Sequence, residues 1–326
     1  MSRVAIIGAG LAGLVLAQAL QGFAAVKVFE KSRGLGGRMA TRRQNGFQFD
    51  HGAQFFTAKT EAFQGFLEPW LSAGVVARWD ARFVEFDRNR INLRRTWAEE
   101  PAHYVGVPGM SALAGALAET LDVQTETRVH SIEGDSGAWR LRDSKGGDLG
   151  EFDWVVSSIP AAQAAPLLPH SFAHQQAVAR SNMLGCYALM LGFDSPLPFD
   201  WDAALVRQAD ISWISVDSRK PGRSGNTLLV QATNRWAEAN IERADSEVMA
   251  HMLAETANVT GFDPGSARHA VLHRWRYANT PKQHDAPAFV DLSRKLAACG
   301  DWCIHGRVEA AYLSGMDAAR SIKATL

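Results

Sequence analysis

Hydrophobic and polar positions in the first part of the chain follow patterns that predict a strand, a helix and a second strand. Residues 4–7 form a continuous apolar run typical of a buried strand. Apolar residues recur at helical spacing over 11–20, and residues 26–29 return to a strand pattern. After Thr60, a residue type that caps helices, helical spacing continues to residue 72. The chain therefore opens with a β–α–β unit, and a further helix follows.

The rest of the chain is predicted to be rich in short strands, with α/β character returning at its end. Predicted strands occupy residues 75–79, 83–86, 91–95, 123–132, 139–142, 151–156, 204–207, 211–216, 227–233, 268–278 and 296–299. Predicted helices occupy residues 110–121, 235–259 and 307–324. This order predicts an α/β fold in which a discontinuous Rossmann-like nucleotide domain receives an inserted, mainly antiparallel β domain with helices. The predicted boundaries are 1–56, 103–160 and 290–326 for the first domain, and 57–102 and 161–289 for the second.

Three glycines at the end of the first strand, Gly8, Gly10 and Gly13, have the spacing of a dinucleotide-binding turn. Such a turn places phosphates on the free amides of the following helix, here those of Leu11, Ala12 and Gly13. Glu30 stands after the next strand, where a carboxylate can accept hydrogen bonds from a ribose. The glycine spacing alone also fits a purely structural turn, and it does not separate FAD from NAD. The strand, helix and acid in order favour a nucleotide site.

A second glycine-rich segment, residues 33–38, follows Glu30 directly. A dehydrogenase would normally continue into further β–α units at this point. Gly36, Gly37 and Arg38 can instead supply amides and a guanidinium to the second phosphate of an extended cofactor. Lys31 is assigned to the same cofactor site.

Composition limits the remaining possibilities. The chain has 326 residues, of which 47% are hydrophobic, and it can bury the core of two domains. Lys plus Arg and Asp plus Glu number 34 each, so no general attraction to nucleic acid or to an anionic membrane is expected. The three cysteines suggest neither a disulfide framework nor a metal site. The apolar segment 4–20 is too short to span a membrane, and a cytoplasmic location is predicted.

These motifs, taken together with several later ones, resemble the FAD-dependent amine oxidase superfamily of the p-hydroxybenzoate hydroxylase fold, and within it the renalase group. The matching segments are 8–13 with Glu30, 36–41, 50–56, 127–129, 155–160 and 300–311. The resemblance implies non-covalently bound FAD. It assigns further cofactor contacts to Gln54, Phe55, Phe56, Val129, Gly300, Asp301, Arg307, Val308, Glu309 and Ala310.

The resemblance also implies an activity: hydride transfer from 2- or 6-dihydro isomers of NAD(P)H to the flavin, giving NAD(P)+ and, with oxygen, hydrogen peroxide. A small dihydropyridine nucleotide and oxygen are the expected partners. Amides at the start of the last helix would stabilise negative charge on reduced flavin. Asp301 also fits an ordinary turn acid after Gly300. An amine oxidase or desaturase, and a non-catalytic flavin redox sensor, remain alternatives.

Candidate substrate contacts lie on the predicted strand 268–278, where alternation puts His273, Trp275 and Tyr277 on one face. These rings could cover a flat nicotinamide, or they could simply fill a core. Arg274 and Arg276 on the opposite face could meet substrate phosphates. Asn234 and Trp236, at a strand-to-helix junction, form a second candidate group, and Gln54 is a third.

Overall fold

The computed structural model describes residues 1–99, 101–281 and 286–326. Its strands are β1 Arg3–Ile7, β2 Ala25–Phe29, β3 Thr41–Gln44, β4 Phe47–Asp50, β5 Phe56–Thr57, β6 Val76–Arg78, β7 Arg82–Asp87, β8 Arg90–Thr96, β9 His103–Gly106, β10 Asp122–Gln124, β11 Val129–Asp135, β12 Ala138–Asp143, β13 Asp148–Phe152, β14 Trp154–Ser157, β15 Leu184–Gly192, β16 Ala203–Arg207, β17 Ile211–Val216, β18 Thr227–Ala232, β19 His269–Asn279, β20 Ala288–Asp291 and β21 Leu296–Cys299. Its helices are α1 Leu11–Leu20, α2 Glu61–Ser72, α3 Ala112–Ala118, α4 Ala161–Ala164, α5 Gln175–Arg180, α6 Asn234–Ala239, α7 Asp245–Thr260 and α8 Val308–Lys323.

The chain divides into two units. Unit 1 comprises Met1–Arg38, Leu113–Met183 and Thr280–Leu326, and unit 2 comprises Met39–Ala112 and Leu184–Asn279. Residues 39–56 and 103–112 fall in unit 2, contrary to the predicted boundaries, because β4 packs on β18 and the Asp50 amide donates to Asp217. Residues 161–183 and 280–289 fall in unit 1, where the Ala173 amide donates to Asp291. Which unit serves cofactor and which serves substrate stays a prediction.

Unit 1 is built on a six-stranded sheet in the order β10-β2-β1-β14-β21-β20. All its pairings are parallel except β20 with β21. Helices α1 and α8 pack so closely that a Cβ at Gly315 would overlap the Ala12 carbonyl oxygen. The predicted Rossmann-like α/β arrangement is confirmed.

Two predicted strands of unit 1 each divide between two sheets. Within the predicted strand 123–132, β10 joins the main sheet while β11 pairs with β12, and Glu126 at φ 54° turns the chain between them. Within 151–156, β13 ends at Phe152 and β14 begins at Trp154 in the main sheet. Neither turn contains the glycine or proline that usually marks the end of a strand in a sequence.

Unit 2 is built on a seven-stranded, mainly antiparallel sheet in the order β19-β15-β18-β17-β16-β7-β8, with one parallel pair, β16 and β7. One face carries the large apolar cluster that includes Tyr187, Leu189 and Val230, against which Trp236 and Met249 pack. The other face carries Phe49, Ala188, Met190 and Leu229, against which Trp275 packs.

Helices in unit 2 follow the predictions in one case and differ in another. Helix α2 begins after Thr60, whose Oγ1 accepts from the Phe63 amide, as the capping pattern predicts. The predicted helix 235–259 is wrong as a single element. It divides into α6 and α7, because Asn240 ends α6 with its side chain on the Trp236 carbonyl, and Asp245 and Glu247 favour a new helix start. Among the described residues, no helix is both long enough and apolar enough to cross a membrane.

Candidate functional site

The turn after β1 requires glycine at two positions. Gly8 has φ 107°, and a Cβ there would lie 2.9 Å from the Ile159 side chain. A Cβ at Gly13 would overlap the Gly8 carbonyl oxygen and the Ser158 hydroxyl. The Ser158 hydroxyl in turn donates to the Gly8 carbonyl at 2.7 Å. Close packing of the polypeptide therefore explains both glycines.

Gly10 is different, because a Cβ there would meet no protein atom within 4 Å. It precedes α1 as the N-cap residue and makes no side-chain cap. The amides of Leu11, Ala12 and Gly13 lie in the first turn of the helix and have no intrahelical acceptor. An open backbone beside free amides at a helix start is suited to a phosphate.

Glu30 links the first turn to the segment containing Val129. Its carboxylate accepts from the Ala9 amide at 2.9 Å and from the Ser32 amide at 2.8 Å. The Glu30 carbonyl accepts from Thr127, two residues before Val129. Each carboxylate oxygen keeps a second lone pair, so Glu30 can still accept from ribose hydroxyls.

The glycine-rich segment lies against the first turn. The Gly36 amide donates to the Ala9 carbonyl at 2.9 Å, and Gly36 forms a bridge with Gly10. Gly37 has φ 55°, and a Cβ there would be 3.5 Å from the Gly10 Cα. The two glycine segments therefore form one surface.

Arg38 and Asp301 come together from opposite ends of the chain in a two-bonded ion pair, with Arg38 Nη1 donating to Asp301 Oδ2 at 2.9 Å and Nη2 donating to Oδ1. Asp301 is buried, so it is more than an ordinary turn acid. The two parallel bonds to the carboxylate fix the orientation of the guanidinium plane.

The late segment around Asp301 is packed onto the strand ends of the main sheet. The Gly300 amide donates to Ser314 Oγ at 2.8 Å, and buried Trp302 donates from Nε1 to the Ile159 carbonyl at 3.1 Å. Ile159 is also the side chain closest to a Cβ at Gly8. Residues 8, 159 and 300–302 therefore converge.

Helix α8 offers a second helix start in unit 1. Arg307 is its N-cap, and the amides of Val308, Glu309 and Ala310 lie in its first turn. Gly315 touches the start of α1 and lies seven positions after Val308. At a rise of 1.5 Å per residue this is roughly 10 Å along the axis of α8. Two positively polarised helix ends at this separation, with the Arg38–Asp301 pair and Glu30, fit an extended dinucleotide cofactor. The Lys31 ammonium donates to Gln163 at 2.9 Å, and its contact with the cofactor stays a prediction.

Unit 2 contains a buried cluster of four charged side chains, Asp50, Asp217, Lys220 and Arg223, all with 0% exposed side chains. Lys220 lies 2.5 Å from Asp217 and 3.7 Å from Asp50, and Arg223 pairs with Asp50. Burial would raise the pKa of Asp50, but Lys220 and Arg223 lower it overall. Burial raises the pKa of Asp217 in spite of Lys220. Sequence analysis missed this cluster.

The charged cluster holds the segment 50–56. Gln54 donates to the Asp50 and Gly52 carbonyls at 2.5 and 3.0 Å, and accepts from Ser215 and Lys220 at 3.0 and 3.1 Å. These bonds engage both ends of the Gln54 amide in supporting the loop. The side chains of Phe55 and Phe56 pack against different rings. The ring centre of Phe55 lies 4.8 Å from that of Trp97, and the ring centre of Phe56 lies 5.9 Å from that of Tyr104.

His51, His273 and Trp275 form an aromatic group in unit 2. The His51 ring lies 4.8 Å from His273, edge to face, and is stacked 5.2 Å from Trp275, whose Nε1 donates to the His51 carbonyl. Burial lowers the pKa of His51 to about 3, helped by the neighbouring His273 and Arg42. Burial and then Arg42 lower that of His273 to about 4. Both imidazoles are therefore neutral at neutral pH.

The other candidate substrate residues differ from one another in their surroundings. Trp236 packs on the opposite face of the sheet, stacked 4.6 Å from His251. Asn234 donates to the Gly185 carbonyl at 2.7 Å. Tyr277 is half-buried two residues beyond Trp275 on β19. The nearby cations are engaged as well, since Arg274 lies 2.5 Å from Asp245 and Arg276 pairs with Glu242.

The neutral histidines predict a pH dependence of stability. The pKa values in the folded protein, about 3 and about 4, lie below the unfolded value of 6.5, so only the unfolded state takes up these protons as pH falls through 6.5. Each histidine should then reduce the free energy of unfolding by up to about 1.4 kcal/mol per pH unit. Urea unfolding from about pH 6 to about pH 4.5 should show a steeper loss in wild type than in His273→Asn. Parallel curves would contradict neutral burial of His273.

The three cysteines, Cys186, Cys299 and Cys303, are buried. Burial raises the pKa of Cys186 and Cys299 to about 12, and raises that of Cys303 well above its usual value. Protonated, enclosed thiols are poor nucleophiles, which disfavours a covalent cofactor link at Cys299.

Comparison with known proteins agrees with this geometry. The family model for flavin containing amine oxidoreductase matches residues 61–323, and that for an NAD(P)-binding Rossmann-like domain matches residues 6–69. Renalase from Mus musculus is 22% identical, over 99% of this chain and 99% of its own length.

Solved structures share the fold. A protein assigned as protoporphyrinogen oxidase from Exiguobacterium sp. 255-15 superposes with a TM-score of 0.75 at 15% identity, covering 100% of this chain and 99% of its own. An engineered triple mutant of putrescine oxidase superposes with a TM-score of 0.72 at 14% identity, with the same coverage. At these identities the likeness establishes the fold alone.

Proposed function

The chain belongs to the flavin-containing amine oxidoreductase family, and we propose that it oxidises 2- or 6-dihydro isomers of NAD(P)H to NAD(P)+. FAD is the cofactor. Held by the residues of unit 1, FAD would supply a hydride acceptor at N5 and a route for the electrons to oxygen, with hydrogen peroxide as the product. Full-length similarity to Renalase from Mus musculus supports this branch of the family.

Residues of unit 1 are proposed to hold FAD without a covalent bond. The amides after Gly10 take the diphosphate, Glu30 the adenosine ribose and the backbone at Val129 the adenine. Arg38 donates hydrogen bonds to the diphosphate. Asp301 fixes the Arg38 guanidinium and contacts the ribityl chain. The start of α8 stabilises negative charge on the flavin ring.

The observation that carries the substrate proposal is the neutral aromatic group of His51, His273 and Trp275. A dihydropyridine becomes aromatic when it loses hydride, so no base is needed, and the flat Trp275 ring of this group can orient it while the neutral histidines add no competing charge. An amine donor must first lose a proton from an ammonium. A histidine with a pKa of about 4 is a poor acceptor for that proton.

The remaining candidates receive narrower roles. Tyr277 extends the same strand face and is proposed to border the substrate ring. Gln54, with its amide engaged at both ends, positions His51 and Phe55 through the loop it supports. We do not propose Asn234 and Trp236 as substrate contacts, because Trp236 packs on the other face of the sheet and the Asn234 amide donates to the Gly185 carbonyl. A cytoplasmic location stays a prediction.

Anaerobic mixing of the FAD-loaded protein with NADH isomers generated by borohydride reduction of NAD+ tests the proposal. We expect stoichiometric loss of the visible flavin absorbance and, after admission of air, one hydrogen peroxide per reduced nucleotide. The common 4-dihydro isomer and aliphatic amines serve as controls and should leave the flavin oxidised. Bleaching by amines alone would replace the proposal with amine oxidation, and no bleaching by any donor would favour a redox sensor.

A further inference from the structure

The proposed function does not say which residues bind the phosphates of a dinucleotide substrate. The subsite described next rests on that proposed function. We propose that Arg42, together with His51 and His273, forms an oxyanion subsite in unit 2 that binds the substrate's diphosphate. No contact among these residues serves the cofactor role assigned to unit 1. The ligand class is a phosphate oxyanion.

Strand pairing places Arg42 on the same side of the hairpin as the histidine. In the β3–β4 pair, Thr41 is opposite Asp50 and Arg42 is opposite Phe49. Thr41 donates to Asp50 at 2.7 Å, so these two side chains share one face. Alternation then puts Arg42 and Phe49 on the other face, with His51 as the next position along it. Diagonal neighbours of this kind lie roughly 7–8 Å apart, within reach of an arginine.

Arg42 is a half-buried cation with no counter-ion in the described part of the chain. Over residues 1–99, 101–281 and 286–326, no carboxylate lies within ion-pair distance of its guanidinium. By contrast, Arg223, Arg274 and Arg276 are each paired. The positive charge of Arg42 lowers the pKa of both His51 and His273, which is consistent with its placement beside them. A guanidinium fork in this setting is complementary to a phosphate.

His51 supplies a second, independent sign of a missing ligand. The residue is 6% exposed, and within the described part of the chain its Nδ1 makes no hydrogen bond of acceptable geometry, although the nearby Phe49 backbone acts to raise the pKa of the ring. Stacking on Trp275 and the bond from Trp275 Nε1 to the His51 carbonyl hold the ring in place. Of the carboxylates near the ring, Asp50 is already neutralised by Lys220 and Arg223. A bound oxyanion would satisfy the guanidinium and accept from an imidazole N–H together.

Binding of inorganic pyrophosphate to the FAD-loaded full chain at low salt tests the subsite. Arg42→Met should weaken binding at least tenfold. Arg43→Met, an equal charge change at the exposed neighbour, should change it less than threefold. Equal losses in the two variants, or no binding by wild type, would overturn the proposal. NAD+ should compete with pyrophosphate for the subsite. If inorganic phosphate displaces pyrophosphate but NAD+ does not, the assignment to a dinucleotide substrate is wrong.

The histidine resonances give a readout that a merely structural Arg42 would not move. In wild type, pyrophosphate should raise the pKa of His51 and of His273, as measured by NMR. In Arg42→Met the same rise should need at least a tenfold higher pyrophosphate concentration. If Arg42→Met does not fold, Arg42→Lys keeps the charge without the fork and should still lose severalfold affinity. Unchanged affinity in a folded Arg42→Lys variant, with no histidine response, would sink the subsite.

Turnover separates this subsite from the proposed function. Arg42→Met should lower kcat/KM at least tenfold for dihydro isomers of NADH and less than threefold for the matching uncharged dihydronicotinamide riboside. If no dihydro isomer is oxidised while pyrophosphate still binds through Arg42, the function is wrong and the oxyanion subsite stands. If both substrates lose activity equally, the function stands and the subsite is wrong.

Discussion

Replacement of Lys220 by Met is expected to lower the free energy of unfolding by about 3 to 5 kcal/mol, since it leaves a buried carboxylate unpaired. Lys220 is 2% exposed and lies 2.5 Å from Asp217. Asp217 can escape by taking up a proton, and burial already raises its pKa. A carboxyl group whose pKa is raised in the folded state lowers the free energy of unfolding as pH increases. The destabilisation of Lys220→Met should therefore be larger at about pH 8 than at about pH 5. Urea unfolding followed by tryptophan fluorescence measures it.

Two variants isolate the cause of this effect. Arg94→Met breaks an exposed pair with Asp200, whose side chains are 54% and 70% exposed, and should change stability by less than about 1 kcal/mol. The double variant Asp217→Asn with Lys220→Met removes both charges and should regain more than half of the loss. A double variant no more stable than Lys220→Met would show that packing, and not charge, dominates.

Alanine at Gly10 and at Gly13 should separate cofactor approach from polypeptide packing. At Gly13 a methyl group would overlap the Gly8 carbonyl oxygen, and we expect the apoprotein to lose about 1 to 3 kcal/mol or more. At Gly10 the methyl group meets no protein atom within 4 Å, and the apoprotein should stay within about 1 kcal/mol of wild type. FAD affinity should nevertheless fall at least about tenfold, because the backbone must approach the diphosphate there.

Titration of the two apoproteins with FAD, paired with urea unfolding without FAD, measures these effects. The expected pattern is a stable Gly10→Ala variant that binds FAD weakly and an unstable Gly13→Ala variant. Wild-type FAD affinity in Gly10→Ala would mean that the diphosphate does not lie on this turn.

Local patterns predicted unit 1 well because its signals are short-range. The strand–glycine–helix order over residues 4–20 appears as β1 and α1, and residues 296–299 form β21. Glycine spacing is informative because backbone conformation and close contact restrict those positions directly. The pairing of Arg38 with Asp301 was not foreseen, although each residue was assigned to the cofactor separately.

The important features of unit 2 were harder to predict because they depend on distant pairing. Asp217, Lys220 and Arg223 lie in a polar stretch that resembles an exposed loop, and charged residues are seldom fully buried. Only the packing of β4 against the segment after β17 shows that Asp50 compensates the charges of Lys220 and Arg223. Likewise, alternation placed His273 and Trp275 on one face of β19, but nothing in that pattern identified His51 as their neighbour.

The order of segments along the chain has a consequence for biosynthesis. Strand β21 stands inside the main sheet between β14 and β20, and Asp301 follows it, yet both come after all of unit 2 in the chain. A nascent polypeptide emerging from the ribosome therefore has the residues of unit 2 available before those that finish the cofactor cradle. The cradle can mature only once the segment from residue 296 onward has been released, so flavin capture should follow the synthesis of all of unit 2.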